Sequence, residues 1–248
     1  MPLKPLALAK SRLAAAVGDE LRPRLALAFA RDTVTAALAC PAVRDVAGGT
    51  GDRPAGGAQA ARGAPRGAAP PRPRPPPPAG GGGGGAPPPP HDRLAGAELA
   101  ALGARVVPDS PGAGLNAALA HGAHRVRARR AALPVAALNA DLPALRPTEL
   151  GRVLAAAGAF PRAFLADAAG IGTTFLSALP GKDLDPFFGG PSRTAHSASG
   201  ATEILLADVD TVRRDVDTGA DLRTALALGV GPSTTALLGA LDPVKALG

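Results

Sequence analysis

The sequence contains no Trp and no Tyr, and only 6 Phe among 248 residues. Flat rings on which bases could stack are scarce, which argues against a single-stranded nucleic-acid binder. There is 1 Cys, Cys40, so neither a disulfide framework nor a cysteine-based metal site can be built. The 4 His residues, His91, His121, His124 and His196, show no zinc-ligand spacing. No apolar run is long enough to span a bilayer, and the N-terminus lacks the apolar centre of a signal peptide. A soluble cytoplasmic protein with no membrane partner is expected.

The formal net charge is +7. Residues 53–90 carry 5 Arg and no acid, which accounts for all but +2 of that excess. The remainder is nearly balanced, so no basic stripe for nucleic acid or membrane is implied.

The length suits one α/β domain with an ordinary core. Much of the 46% hydrophobic fraction is alanine, so Leu and Val must supply the core volume. A hydrophobic run is expected ahead of the loop at Lys4 and Pro5, and the sequence starts at Met1 without one. Leu27, Ala30, Val34 and Leu38 fall at helical spacing within residues 19–40, and Pro41 ends that helix. Residues 53–90 contain Gly, Pro, Ala, Arg and one Gln, with no Val, Ile, Leu, Phe or Met. Such a segment cannot bury enough apolar surface to offset its ordering entropy, so disorder is expected there. It reads as a proline-rich docking segment or as an insert without function. An out-of-frame reading of a GC-rich gene would give the same composition, which resequencing tests. Expected boundaries are 1–52 and 94–235 for the two parts of one domain, 53–93 for the insert and 236–248 for a tail.

Beyond the insert, a helix ending near Leu102 precedes a strand at 105–107, a helix at 116–126 and a strand at 134–138. A helix at 148–157 and a strand at 163–166 follow. Alternation of this kind predicts an α/β fold, a mostly parallel sheet with helices on both faces. Ligands of such sheets bind beyond the carboxyl ends of strands, where Asp141 and Asp167 fall.

Asp141 follows a buried strand and precedes Leu142 and Pro143. A carboxylate fixed there suits Mg²⁺, which takes one or two protein carboxylates plus substrate phosphates. An acid that merely opens a turn is the plainer reading. Thr218 and Asp221 form a T-x-x-D capping box for a helix at 221–228. That explains both residues, whereas Asp215, expected on a short strand with Val216, is left to complete a metal site with Asp141. Gly170, Gly172, Thr173 and Thr174 form a glycine-rich loop that either meets phosphate or carboxylate oxygens or is simply a tight turn. Phe187 to Arg193 reads as an irregular loop whose Ser192 and Arg193 can meet an anion. His196 reads as a packed or surface histidine, not a catalytic one. Lys4, Lys10 and Arg12 crowd one loop, where they grip a triphosphate or form a solvated basic turn.

In order, five motifs resemble the phosphoenolpyruvate / 2-phospho-L-lactate guanylyltransferases, which serve biosynthesis of the deazaflavin coenzyme F(420). They are Lys4-Pro5-Leu6 with Ala9-Lys10-Ser11-Arg12-Leu13, Ala140-Asp141-Leu142-Pro143, Ala166-Asp167 with Gly170-Ile171-Gly172-Thr173-Thr174, Phe188-Gly189 with Ser192-Arg193 and His196, and Arg214-Asp215-Val216-Asp217-Thr218. The resemblance covers residues 1–50 and 94–235. It implies a single domain of the nucleotide-diphospho-sugar transferase (nucleotidyltransferase) type. It implies Mg²⁺ on Asp141 and Asp215, and the phosphorylated three-carbon acid on Thr173, Gly189 and Ser192. Lys4, Lys10 and Arg12 would act as catalytic residues on GTP, with Asn116 lining the nucleotide pocket. The implied reaction joins GMP from GTP to phosphoenolpyruvate, with hand-off of an unstable product to the next pathway enzyme. Other acceptors consistent with the same aspartates are 2-phospho-L-lactate, a sugar phosphate or molybdopterin; an inactive paralogue with a disrupted GTP site is the non-enzyme alternative. Ile171 stands where the family usually has Thr and Gly219 where it usually has Pro. Residues 46–92 stand where it has a second hydrophobic strand and helix.

Overall fold

The protein's structure is a computed structural model that describes residues 2–3, 13, 17–50, 90–108 and 113–240. The low-complexity residues 53–89 and the loop with Lys4, Lys10 and Arg12 lie outside the described residues. The elements run β1 (Pro2–Leu3), α1 (Leu21–Ala39), β2 (Ala47–Thr50), α2 (Pro90–Ala101), β3 (Arg105–Pro108), α3 (Leu115–Arg127) and β4 (Val135–Leu138). They continue with α4 (Pro147–Ala157), β5 (Arg162–Ala166), β6 (Thr173–Ala178), α5 (Ser192–Ala198), β7 (Thr202–Glu203), α6 (Asp210–Arg213), α7 (Gly219–Leu228) and α8 (Pro232–Gly239).

The strands form two sheets. One is wholly parallel, in the order β1-β2-β3. The other has the order β4-β6-β5-β7, with β6 antiparallel to both β4 and β5, and β7 parallel to β5. The α/β class expected from alternation is present, while the antiparallel β6 departs from a simple parallel series. Thr173 and Thr174 open β6 instead of completing a loop. All six β6 residues are buried, so its sequence shows no polar-apolar alternation that would mark a strand.

The N-terminal half also keeps more sheet than the sequence suggests. Pro2 and Leu3 pair in parallel with Gly49 and Thr50, and β2 pairs in turn with β3. Backbone pairing builds these strands where hydrophobic pattern is weak, as in the Ala-Gly-Gly-Thr of β2.

Among the described residues, the three larger apolar clusters hold the layers. Val34, Leu138, Leu142, Val153, Leu165 and Phe175 join α1 and α4 to one sheet face. Leu119, Phe164, Leu176 and Leu184 pack α3 against the opposite face. Leu25, Phe29, Val216 and Leu222 join α1 to α7. The capping box read from the sequence opens α7. Thr218 Oγ1 accepts from the Asp221 amide at 3.2 Å, and the Asp221 carboxylate accepts from the Thr218 amide at 2.9 Å.

Candidate functional site

Asp141 sits in a crossing segment, residues 140–143, that leaves the end of β4 and runs beneath α1. Its backbone is tied on every side. The amide of Asn139 donates to the Thr174 carbonyl at 2.9 Å. Thr33, fully buried in α1, accepts from the Leu142 amide at 3.1 Å. The Thr33 hydroxyl donates back to the Phe29 carbonyl at 2.7 Å, with the Ala140 carbonyl 3.3 Å away. The Asp141 carbonyl accepts from the Val216 amide at 3.1 Å, and the Pro143 carbonyl from the Gly231 amide at 2.8 Å. Buried Asp32 accepts from the amides of Ser233 and Thr234 at 2.8 and 2.9 Å, so α1 caps α8 as well.

Asp215 is half-buried beside Val216 and is thereby brought to the Asp141 segment. It lies in an extended connection after the single turn of α6, not on a strand. Glu149 of α4 fixes that turn by accepting from both the amide and the hydroxyl of Thr211, at 2.9 and 2.8 Å. Val212 and Val216 are both fully buried, in different clusters. Two anchors four residues apart pin the chain. Arg213 donates to the carbonyls of Ala166 and Leu206 at 2.9 and 3.2 Å, tying the same connection to the end of β5. Burial pulls its pKa down, yet the carbonyl partners are those of a charged guanidinium.

The glycine-rich segment is a tight connection between β5 and β6, organised by Asp167. Its two carboxylate oxygens accept from the amides of Ile171 and Gly172 at 2.9 and 2.8 Å. The Asp167 amide and the Gly172 carbonyl close the loop at 3.2 Å. Asp167 therefore has a structural task. A Cβ on Gly172 would overlap the Asp167 carboxylate. Arg193, expected to face an anion, instead pairs with Glu203 at 3.1 Å and donates to the Gly170 carbonyl at 3.0 Å.

Thr173, Gly189 and Ser192 converge on one lobe. Thr173 Oγ1 lies 3.0 Å from His196 Nδ1, and the Phe187 amide donates to His196 Nε2 at 2.9 Å. Asn116 grips the next peptide: its amide nitrogen donates to the Phe188 carbonyl at 3.0 Å and its oxygen accepts from the Phe188 amide at 2.8 Å. Gly189 and Gly190 then turn with φ of +106° and +52°, and buried Ser192 opens α5. The ring of His196 is fully buried beside Phe164 and Phe188, at centroid distances of 5.7 and 5.0 Å. Burial, aided by the nearby Arg162 charge, lowers its pKa to about 4.

Sequence reasoning missed Thr33 and treated His196 only as a packed or surface residue. A signal for Thr33 exists: Asp32 and Thr33 interrupt the buried face of an apolar helix. Among the described residues, no group of three or more His, Cys, Asp or Glu side chains gathers to hold a metal. Asp141 and Asp215 are the carboxylates that could hold a hard divalent ion, which takes one or two protein carboxylates and fills its other positions with water and phosphate oxygens. A cavity of about 460 Å³ lies elsewhere, between the sheets and α3 and α4, with Val107, Leu119, Leu138 and Phe175 in its wall. None of the described candidate residues lines it. No helix among the described residues is long and apolar enough to cross a membrane.

No protein-family model matches the chain. The phosphoenolpyruvate guanylyltransferase of Streptomyces coelicolor is 58% identical over 237 residues, covering 96% of this chain and 93% of that protein. The enzyme of the same name from Thermomonospora curvata is 49% identical, covering 96% of this chain and 86% of its own length. That from Salinispora arenicola is 44% identical, covering 98% and 94%. A crystal structure described as a nucleotide-diphospho-sugar transferase from Desulfovibrio desulfuricans G20 superimposes with a TM-score of 0.56, at 14% identity, over 96% of this chain and 91% of that one. That likeness identifies the fold.

Proposed function

We propose that this chain, which belongs to the phosphoenolpyruvate guanylyltransferase family, transfers the guanylyl group of GTP to phosphoenolpyruvate and releases pyrophosphate. The observation that carries the reading is 58% identity to a relative of that name along 96% of the chain. The setting proposed is coenzyme F(420) biosynthesis in the cytoplasm, with the unstable product passed to the next enzyme.

The chemistry asks little covalent work of the protein. A phosphate oxygen of phosphoenolpyruvate attacks the α-phosphorus of GTP in line. The bond from that phosphorus to the bridging oxygen of the β-phosphate breaks, and the electron pair leaves with pyrophosphate. The product is enolpyruvoyl-diphospho-guanosine. A substrate phosphate is already anionic at neutral pH, so no general base is needed; positioning supplies the rate.

In this reading Asp141 and Asp215 hold a divalent ion, proposed to be Mg²⁺. When bound, that ion neutralises charge on the phosphates. The tied backbone of residues 140–143 supports the role, because it sets where the Asp141 carboxylate starts. Thr173, Gly189 and Ser192 are proposed to bind the three-carbon acid, Thr173 and Ser192 through hydroxyls and Gly189 by close backbone approach. Asn116 is proposed to line the nucleotide pocket, and its hydrogen bonds to Phe188 join that side to Gly189. Lys4, Lys10 and Arg12 are proposed to hold the GTP triphosphate.

Pyrophosphate release from GTP, measured with phosphoenolpyruvate, 2-phospho-L-lactate and a sugar phosphate in parallel, tests the reading. Release with phosphoenolpyruvate is expected. Release with none of the acids would leave the chain an inactive relative, and release with another acid alone would reassign the substrate.

A further inference from the structure

His196 is buried, carries a ring able to hold or give a proton, and takes no part in the transfer chemistry just described. Its hydrogen bonds fix its state. The Phe187 amide is an obligate donor and points at Nε2 at 2.9 Å. Nε2 must therefore offer a lone pair, which excludes both the imidazolium and the Nε2–H tautomer. The single ring proton then lies on Nδ1, facing Thr173 Oγ1 at 3.0 Å with the Ser192 carbonyl also near, so the Thr173 hydroxyl cannot donate to the ring. A hydroxyl that accepts there still has its own proton to place. Among the described residues Thr173 Oγ1 has no other protein partner. The ring cannot rotate freely to escape this assignment, since Phe164, Phe187 and Phe188 all lie against it.

We infer that His196 is a positioning residue that turns the Thr173 hydroxyl into a committed donor, aimed at an acceptor oxygen of the phosphorylated acid. The inference rests on the reading of Thr173 as a residue of the acid-binding lobe. One neutral imidazole links two segments of that lobe, the start of β6 through Thr173 and the loop before α5 through Phe187. It thereby fixes the polarity of one and the position of the other.

Two measurements on the whole chain test this. The first is the ¹⁵N spectrum of the histidine side chains at neutral pH, with His196 assigned by its loss in H196Q or by its failure to titrate with the other histidines. A neutral ring protonated at Nδ1 is expected. An Nε2–H tautomer or an imidazolium overturns the inference whatever the enzyme does.

The second is kinetic. H196A and T173V should each raise the KM for phosphoenolpyruvate about tenfold, the loss of roughly one hydrogen bond to a charged group. The KM for GTP should stay within about twofold. The double variant should lose no more than T173V alone, because the histidine acts through the threonine. H196N, whose side-chain amide can replace the Nδ1–H donor, should recover most of the loss. Additive losses, or equal rises in both KM values, overturn the inference. If H196A does not fold, H196N and the spectrum of the unaltered chain still decide it. Failure of the functional reading looks different: the unaltered chain then releases no pyrophosphate with phosphoenolpyruvate, and Thr173 donates to some other ligand or to none.

Discussion

The Val216 amide donates to the Asp141 carbonyl at 3.1 Å, joining two segments 75 positions apart in the sequence. This bond runs through the backbone and sets the two residues' segments side by side. The divalent ion proposed to lie between Asp141 and Asp215 would make the pair interdependent. Asp141→Asn and Asp215→Asn should each lower pyrophosphate release roughly a hundredfold or more. A chelator should abolish it in the unaltered chain, with recovery on adding Mg²⁺. Either variant keeping full rate and the same Mg²⁺ dependence would remove that residue from the metal site.

Thr33 lies in α1, more than 100 positions before the segment it holds, and reaches the Leu142 amide at 3.1 Å. Thr33→Val keeps the shape and removes the acceptor, leaving a buried amide without a partner. The expected cost is about 1–3 kcal/mol in denaturant unfolding. Because that amide adjoins Asp141, the Mg²⁺ concentration for half-maximal rate should rise as well. Thr33→Ser should restore both. A stability loss with unchanged Mg²⁺ dependence would confine Thr33 to holding the fold.

How much of this could be read in advance depended on range. The helix expected at 19–40 is Leu21–Ala39, and the strand expected at 134–138 is Val135–Leu138. Both are set by local periodicity and a following proline or acid. The Thr218–Asp221 capping box is local too, and is present as read. The partners of Thr33 and His196 are not local, and a lone Thr or His in an apolar stretch carries no mark of what it touches. Strand β6 escaped because it is buried throughout, and a buried strand gives no alternation. Asp215 is expected on a strand because it alternates with Val216; in the fold Val216 and Val212 anchor into separate clusters after a helical turn.

Gly172 adjoins the Asp167 carboxylate so closely that any side chain would overlap it. Gly172→Ala must open the loop that Asp167 closes, and that loop sets the start of β6 at Thr173. We expect a loss of about 1–3 kcal/mol of stability and a rise in the KM for phosphoenolpyruvate larger than that for GTP. Asp167→Asn keeps one acceptor oxygen and should show the same pattern more weakly. Wild-type stability in Gly172→Ala would mean that the loop has room the structure does not show.

Acid should weaken the fold through His196. Its pKa lies at about 4, below the ordinary 6.5, chiefly because burial disfavours the charged ring. As pH falls through 6.5 the unfolded chain takes up a proton at this residue while the folded chain does not. Between pH 6.5 and 4 the unfolded state thus binds more protons, so stability rises with pH across that window. The contribution is complete above 6.5 and gone below 4, and amounts to roughly 3 kcal/mol. Carboxylates titrate at the acid end in every variant, so the informative quantity is a difference. Urea midpoints of the unaltered chain and of His196→Gln, followed from pH 7.5 to 4.5, should converge as pH falls. Parallel curves would show that His196 takes up its proton as readily folded as unfolded.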